Sequence, residues 1–250
     1  MSDTHGDGAS TGYCWFVVAA VSLLQIGSYI DRQVITLLVE PMRRDFGIGD
    51  TEVSLLLGFA FAVFYAVMAI PAGRLADRYS RVRLIVVSVI FWTLATLWCM
   101  VAEGYRGLFI ARMLVGLGEA ALIPAGFSLL SDYFRPGRLG LATSTVTGAS
   151  FLGSGVALAA GGFIISRLPG TEFVTLPIVG EIRSWQLAFG CASIPSVVVL
   201  TLFLFVREPA RSGQLAQDAG GRSMFDALKY LRKDRAMWTS VFLGMAMIGA

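Results

Sequence analysis

Apolar residues run along this chain in blocks of about twenty, separated by short polar segments. About 20 residues at ~1.5 Å rise cover the ~30 Å hydrocarbon core of a bilayer, so each block predicts one membrane-crossing helix. Span one reads from Tyr13 to Leu38, interrupted only by Asp31 and Arg32, and stops at Pro41 and the polar segment from Arg43 to Thr51. Span two covers Val53 to Pro71, span three Leu84 to Ala102, span four Leu108 to Leu130, and span five Leu139 to Ile165. Span six covers Trp185 to Val206, with a bend expected at Pro195. Glu103 to Gly107 and Ser131 to Arg138 read as turns, and Ser166 to Ser184, with Pro169, Gly170, Pro177 and Gly180, reads as a longer loop.

These blocks give an all-α membrane fold in four parts: a disordered tail over 1–12, a six-helix bundle over 13–206, a linker over 207–235, and the start of a seventh helix over 236–250. The linker opens as a flexible Arg-Glu-Pro-Ala-Arg-Ser-Gly stretch and closes as an amphipathic helix from Ser223 to Arg235, with Ser223 as its cap. The run from Ala236 to Ala250 is too short to cross, so the expectation is the front half of a larger bundle.

Composition agrees: 56% of residues are hydrophobic and 15% charged, with a mean hydropathy of +0.70, which excludes a soluble domain. Cys14, Cys99 and Cys191 are odd in number and sit in apolar runs, so neither a disulfide framework nor a metal cluster is expected, and no cofactor. Basic residues are unevenly placed. Thirteen follow spans two, four and six, against five after spans one, three and five. That asymmetry puts the amino terminus in the cytoplasm of a cell, expected to be bacterial, whose inner membrane holds the chain. The net charge of +3 averages over it and gives no reason to expect a nucleic-acid partner.

Four charges fall inside the predicted spans. Arg112 and Glu119 lie two helical turns apart on span four, on nearly one face, and Asp31 and Arg32 interrupt span one. Each charge costs roughly 2.5–3.5 kcal/mol at the bilayer centre, so these faces must look into protein or water. Two acids against two guanidinium groups is the balance a satisfied intramembrane network needs. Since Arg stays charged, proton traffic falls to Asp31 or Glu119: dryness favours the neutral acid and a nearby Arg the anion. Two plainer alternatives stand beside this: span one ends at Ile30, leaving an interfacial pair, or Arg112 and Glu119 form a structural tie.

The segment Gly73-Arg-Leu-Ala-Asp77-Arg-Tyr-Ser-Arg81-Val-Arg83 joins spans two and three, with Gly73 placed for close helix approach and its arginines for acids or lipid phosphates. On span five, Thr143, Thr147, Ser150 and Ser154 share one face, either wetting a cavity or packing against a neighbour. Phe59, Phe61, Phe64 and Tyr65 on span two suit an acyl chain or bulk lipid equally well.

The Gly73–Arg83 segment resembles the signature between helices two and three of the major facilitator superfamily, and Arg112-x-x-x-Gly116-x-Gly118-Glu119-Ala120 resembles its helix-four signature. Ser184-Trp185-Gln-Leu-Ala-Phe189 is similar to the motif that opens its sixth helix. Tyr29-Ile-Asp31-Arg32-Gln33, with Ser80 where the superfamily usually has a second glycine, is similar to the spinster branch, whose members move lysolipids or sphingoid phosphates. The resemblance implies a non-enzymatic, proton-coupled transporter, monomeric at full length, that moves an amphipathic or organic anion between two six-helix halves. In it Asp31 and Glu119 would couple protons, Arg32 and Arg112 would bind the anion, and Gly73, Asp77, Arg78 and Arg81 would gate. Drug export or organic-acid uptake on the same scaffold is the rival within transport, and a non-transporting half the rival outside it.

Overall fold

In the computed structural model, residues 10–167, 173–177, 180–211 and 239 are described. The chain divides into two compact units, Met1–Ala210 and Arg211–Ala250, and the fold described below is that of the first. The amphipathic Ser223–Arg235 helix lies outside the described residues, as does the seventh span apart from Thr239.

Among the described residues, six helices have the length and composition to cross a membrane: α1 (Thr11–Leu37), α2 (Asp50–Arg78), α3 (Arg81–Val101), α4 (Tyr105–Tyr133), α5 (Pro136–Arg167) and α6 (Ser184–Phe203). Each matches one apolar block. The boundaries move outward where polar residues cap or continue a helix. Ser10 caps α1, its hydroxyl accepting from the Tyr13 amide at 3.3 Å, so helix begins inside the expected disordered tail. Helix α2 runs past Pro71 to Arg78, which makes Gly73 to Arg78 helical, not a turn; only Tyr79 and Ser80 break the chain before α3. A proline inside a spanning helix is tolerated because neighbouring helices and local adjustments satisfy the freed carbonyl.

Helix α4 is not continuous. It stops at Glu119, turns through Ala120 and Ala121, and resumes at Leu122. Pro124 explains the place, since it cannot donate to the Ala120 carbonyl and its ring crowds that group. Pro195 acts alike in α6, which breaks at Ser193 between Leu187–Ala192 and Ile194–Phe203.

Helix α1 is the centre of the bundle, packed along its length on α5 and also touching α6 and α4. Its buried residues, among them Cys14, Val17, Val21, Leu24, Ser28, Asp31 and Ile35, lie on the face that meets these neighbours. The outward sides of α2, α3 and α5 expose Val67, Ile70, Leu94, Trp98, Phe151 and Leu152. The loop before α6 holds a two-stranded hairpin, β1 (Phe173–Leu176) against β2 (Gly180–Arg183), where the sequence suggested only loop. Gly180, at φ +83°, reverses the chain there. Arg183 pairs with Asp45 at 3.0 Å, and the Trp185 indole donates to the same carboxylate.

Candidate functional site

Midway along the bundle, α1 turns Ser28, Asp31 and Arg32 toward α3 and α4, and α4 answers with Arg112 and Glu119. Close helix approach makes this possible. A Cβ on Gly116 would sit 2.6 Å from the Phe61 carbonyl oxygen of α2, and one on Gly118 would sit 2.9 Å from Trp92 Cβ of α3. The helix-four glycines are therefore places where backbone meets backbone, which any side chain would block.

The charges pair crosswise between helices. Arg32 donates through Nε to Glu119 Oε2 at 2.8 Å and approaches the same oxygen through Nη2 at 2.7 Å; the Ser28 hydroxyl donates to it at 2.6 Å. Asp31 Oδ2 accepts from the Trp92 indole and from the Thr96 hydroxyl, both at 2.9 Å. Arg112 stands further off, with Nη1 4.0 Å from that oxygen, and it donates to the Asp31 main-chain carbonyl at 3.4 Å. Three buried atoms in this cluster have no hydrogen-bond partner among the described residues: Asp31 Oδ1, Glu119 Oε1 and Arg112 Nε.

Burial separates the members. The side chains of Asp31 and Glu119 are 0% exposed and Arg112 1%, whereas Arg32 is 25% exposed and reaches the bundle surface. There its guanidinium lies within 5.2 Å of the ring centres of Tyr29, Phe61 and Tyr65, a cation–π cradle that keeps the planar group oriented. Phe61 also faces Arg112, at 5.5 Å. A cavity of about 590 Å³ lies elsewhere, bounded by Asp45, Glu103, Glu181 and Arg183, and shares no residue with this cluster.

The span-five stripe divides. Ser150 and Ser154 accept from Gln25 and Gln33 of α1 at 3.4 and 3.3 Å, and Gly153 lies against Ile26, so this part of the stripe packs α5 on α1. Thr143 and Thr147 return their hydroxyl protons to their own helix. Phe59 is half exposed, away from Arg32.

The second charged group sits where α2 joins α3. Arg81 is 2% exposed and ion-pairs with Asp132 of α4 and, at 2.7 Å, with Glu208 just past α6. Its remaining donors reach the carbonyls of Ser128 and Pro209 at 3.1 and 3.2 Å. Glu208 further accepts from Ser80 at 2.7 Å and the Val82 amide at 2.8 Å, at the amino terminus of α3. Burial pushes this carboxyl up, but the Val82 amide, the Arg81 guanidinium and the Ser80 hydroxyl outweigh it and hold it below the ordinary range. Arg207 to Pro209 are thus fixed, not flexible linker as their composition suggested, and the Tyr13 and Tyr133 hydroxyls donate to the Phe205 and Arg207 carbonyls at 3.0 and 2.6 Å. Asp77 and Arg78 are exposed, and a Cβ on Gly73 would meet nothing within 4 Å. The buried small residues here are Ala72 and Ala76, so Gly73 is not the point of close contact that its motif suggested.

The sequence profile described as Major Facilitator Superfamily matches residues 21–250. The chain belongs to this superfamily. An efflux pump of the superfamily from Mycolicibacterium smegmatis is 29% identical over 87% of this chain and 48% of its own. Protein spinster of Drosophila melanogaster is 30% identical over 79% of this chain and 30% of its own. Among solved structures, a bacterial homologue of the human lysosomal transporter spinster, inward-facing and unoccupied, superposes with a TM-score of 0.75 at 28% identity, over 92% of this chain and 51% of that one. The motifs around Asp31, Asp77 and Glu119 therefore identify the spinster-like branch correctly, and the chain spans about half or less of the lengths of these relatives.

Ser28, Trp92, Thr96, Asp132 and Glu208 complete the two networks, and sequence reasoning missed all five. Asp132 and Glu208 had a signal, each being an acid at the edge of an apolar run near a basic cluster. A serine, a threonine and a tryptophan within spans carry none.

Proposed function

We propose that this chain supplies one half of a proton-coupled secondary transporter that moves an amphipathic or organic anion, of lysolipid or sphingoid-phosphate type, by alternating access. The observation that carries this reading is the crosswise pairing in which Arg32, alone of the four charges, is both tied to a buried acid and open at the surface. Protonation of Glu119 loosens its hold on Arg32, which then offers a planar fork of donors to a phosphate or carboxylate. Tyr29, Phe61 and Tyr65 keep that fork in place and give the apolar part of the cargo a surface. Loss of the proton draws Arg32 back and expels the anion. Arg112, nearly fully buried, acts within the cluster, on Asp31. Arg81 and its partners hold the α2–α3 junction as the gating segment, with Gly73 and the exposed Asp77 and Arg78 on the turn of α2 before it. The uneven basic residues support a cell-membrane location with the amino terminus in the cytoplasm.

The test is uptake driven by a pH gradient in proteoliposomes holding the protein that carries this chain, with a lysophospholipid and a small carboxylate as probes. Glu119→Gln and Asp31→Asn should each abolish gradient-driven uptake; uptake retained by both removes these acids from coupling. The M. smegmatis relative named as an efflux pump favours a second reading, export of hydrophobic drugs or transport of organic acids on the same scaffold. Competition by a hydrophobic cation, with none by the lysophospholipid, would select drug export; competition by the small carboxylate alone would select organic-acid transport.

A further inference from the structure

The proton-coupling reading names Asp31 as a carrier but leaves open how a carboxyl held by uncharged groups takes its proton at one place. Trp92 and Thr96 lie four residues apart, one turn of α3, and both donate to the same oxygen, Oδ2, at 2.9 Å. A carboxylate oxygen has two lone pairs, so these two donors occupy it. The other oxygen, Oδ1, is buried and has no partner among the described residues. Trp92 cannot turn away: it is fully buried, and a Cβ built on Gly118 of α4 would stand 2.9 Å from its Cβ, one on Gly27 of α1 3.6 Å from the far edge of its indole. Indole N–H is a donor only, so it serves both the ionised acid and the carbonyl oxygen of the neutral acid, the ionised form more strongly.

We infer that Trp92 and Thr96 are positioning residues that pin Oδ2 of Asp31 in both charge states and so direct the transported proton to Oδ1. The inference rests on the proton-coupling reading above and adds where the proton binds and which side chains decide it. Asp31 differs here from Glu119, whose occupied oxygen is held by a guanidinium as well as a hydroxyl. Asp31 can change charge without breaking a side-chain hydrogen bond to a guanidinium, since Arg112 stays 4.0 Å from Oδ2 and spends a donor on the main chain. The other charged and titratable groups around it are Glu119 of α4, Cys99 of α3, and Arg32 beside it on α1, with Tyr29 and Tyr65 beyond Arg32. None of them donates a hydrogen bond to either carboxylate oxygen of Asp31.

The test reads the acid itself. Infrared difference spectra of the reconstituted protein, titrated with pH, contain one protonated-carboxyl band that Asp31→Asn removes. Thr96→Val keeps the shape of the side chain but takes one donor from the anion, so the midpoint of that band moves to higher pH by about one unit, the tenfold that a hydrogen bond to a charged group is worth. Thr96→Ser restores the midpoint, which a merely space-filling threonine would not require. Trp92→Phe moves it in the same direction and raises the carboxyl stretching frequency, because the carbonyl oxygen loses a donor. An unmoved midpoint in a folded Thr96→Val protein overturns the proposal, as does a spectrum from which Asp31→Asn removes no band. If the band titrates and shifts as described while Asp31→Asn still drives uptake, the positioning stands and the coupling role fails.

Discussion

Replacing Gly116 with alanine drives a methyl group into the backbone of α2. The new Cβ would stand 2.6 Å from the Phe61 carbonyl oxygen, with the Phe61 carbonyl carbon and Cα both at 3.3 Å, and a main-chain atom inside a helix cannot swing aside. Restoring the 3.4 Å of ordinary contact requires the two helices to part by about 0.8 Å. Overpacking of this kind costs ~1–3 kcal/mol. Alanine also gains up to ~1 kcal/mol of helix propensity over glycine, which would mask part of the loss. Gly148→Ala is the control: it makes the same change in mid-helix, on α5, where a Cβ meets nothing within 4 Å. Propensity cancels between the two variants, and the difference that remains is the clash. At ~2–4 °C per kcal/mol for a domain of this size, Gly116→Ala should melt ~2–12 °C below Gly148→Ala in detergent, read by size-exclusion thermostability. Uptake should fall as well, because Phe61 carries the ring that faces Arg32 at 4.7 Å. Equal melting temperatures would refute the close approach of α2 and α4, and with it the account of why the helix-four motif holds glycine there.

Glu208→Gln should flatten the acid dependence of stability. The folded carboxyl titrates below its ordinary 4.5, so its contribution is present above that value and is lost as pH falls through the lower folded value; thermostability at pH 7 and at pH 4 checks this. Arg32→Lys keeps the charge but loses the planar fork and weakens the stacking, so uptake of an anionic probe should fall at least ~10-fold while melting temperature stays within a few degrees. The joint replacement Arg32→Met with Glu119→Leu should leave melting temperature unchanged or higher and abolish uptake, whereas Arg32→Met alone strands the buried Glu119 and should destabilise by ~3–5 kcal/mol, and Glu119→Leu alone by less because Arg32 is 25% exposed. A double variant that is less stable than both single variants would show the pair to be there for stability.

The six crossings were legible because bilayer thickness sets a length that any apolar block must meet. Their ends were less so. Polar residues such as Thr11, Asp50 and Arg167 lie outside the apolar blocks yet belong to helices, since capping and hydrogen bonding continue where hydropathy stops. The break after Glu119 was missed for a different reason: Pro124 was visible, but its effect falls four residues upstream, at the carbonyl it crowds. The four membrane charges were found because each is conspicuous among apolar neighbours, and two helices do bring them together. Which acid meets which guanidinium depends on helix rotation, which one chain's spacing does not contain. Spacing put Arg112 and Glu119 on one face of α4, and the fold turns each of them to a partner on α1.

That crosswise arrangement bears on the plainer alternative, a structural tie. Two ion pairs buried between helices return little stability, because desolvating four charges costs about what their attraction repays. A tie selected for strength would close every donor and acceptor, as Arg81 comes near to doing with Asp132, Glu208, Ser128 and Pro209. The mid-bundle cluster does the reverse: each of its acids has one oxygen engaged by two donors and one buried oxygen with none among the described residues. An open acceptor in a dry place costs ~1–3 kcal/mol, which a tie selected for strength would avoid. The two networks therefore differ in kind. The one around Arg81 engages nearly all its donors and acceptors, and the one around Asp31 and Glu119 leaves a buried acceptor open on each acid.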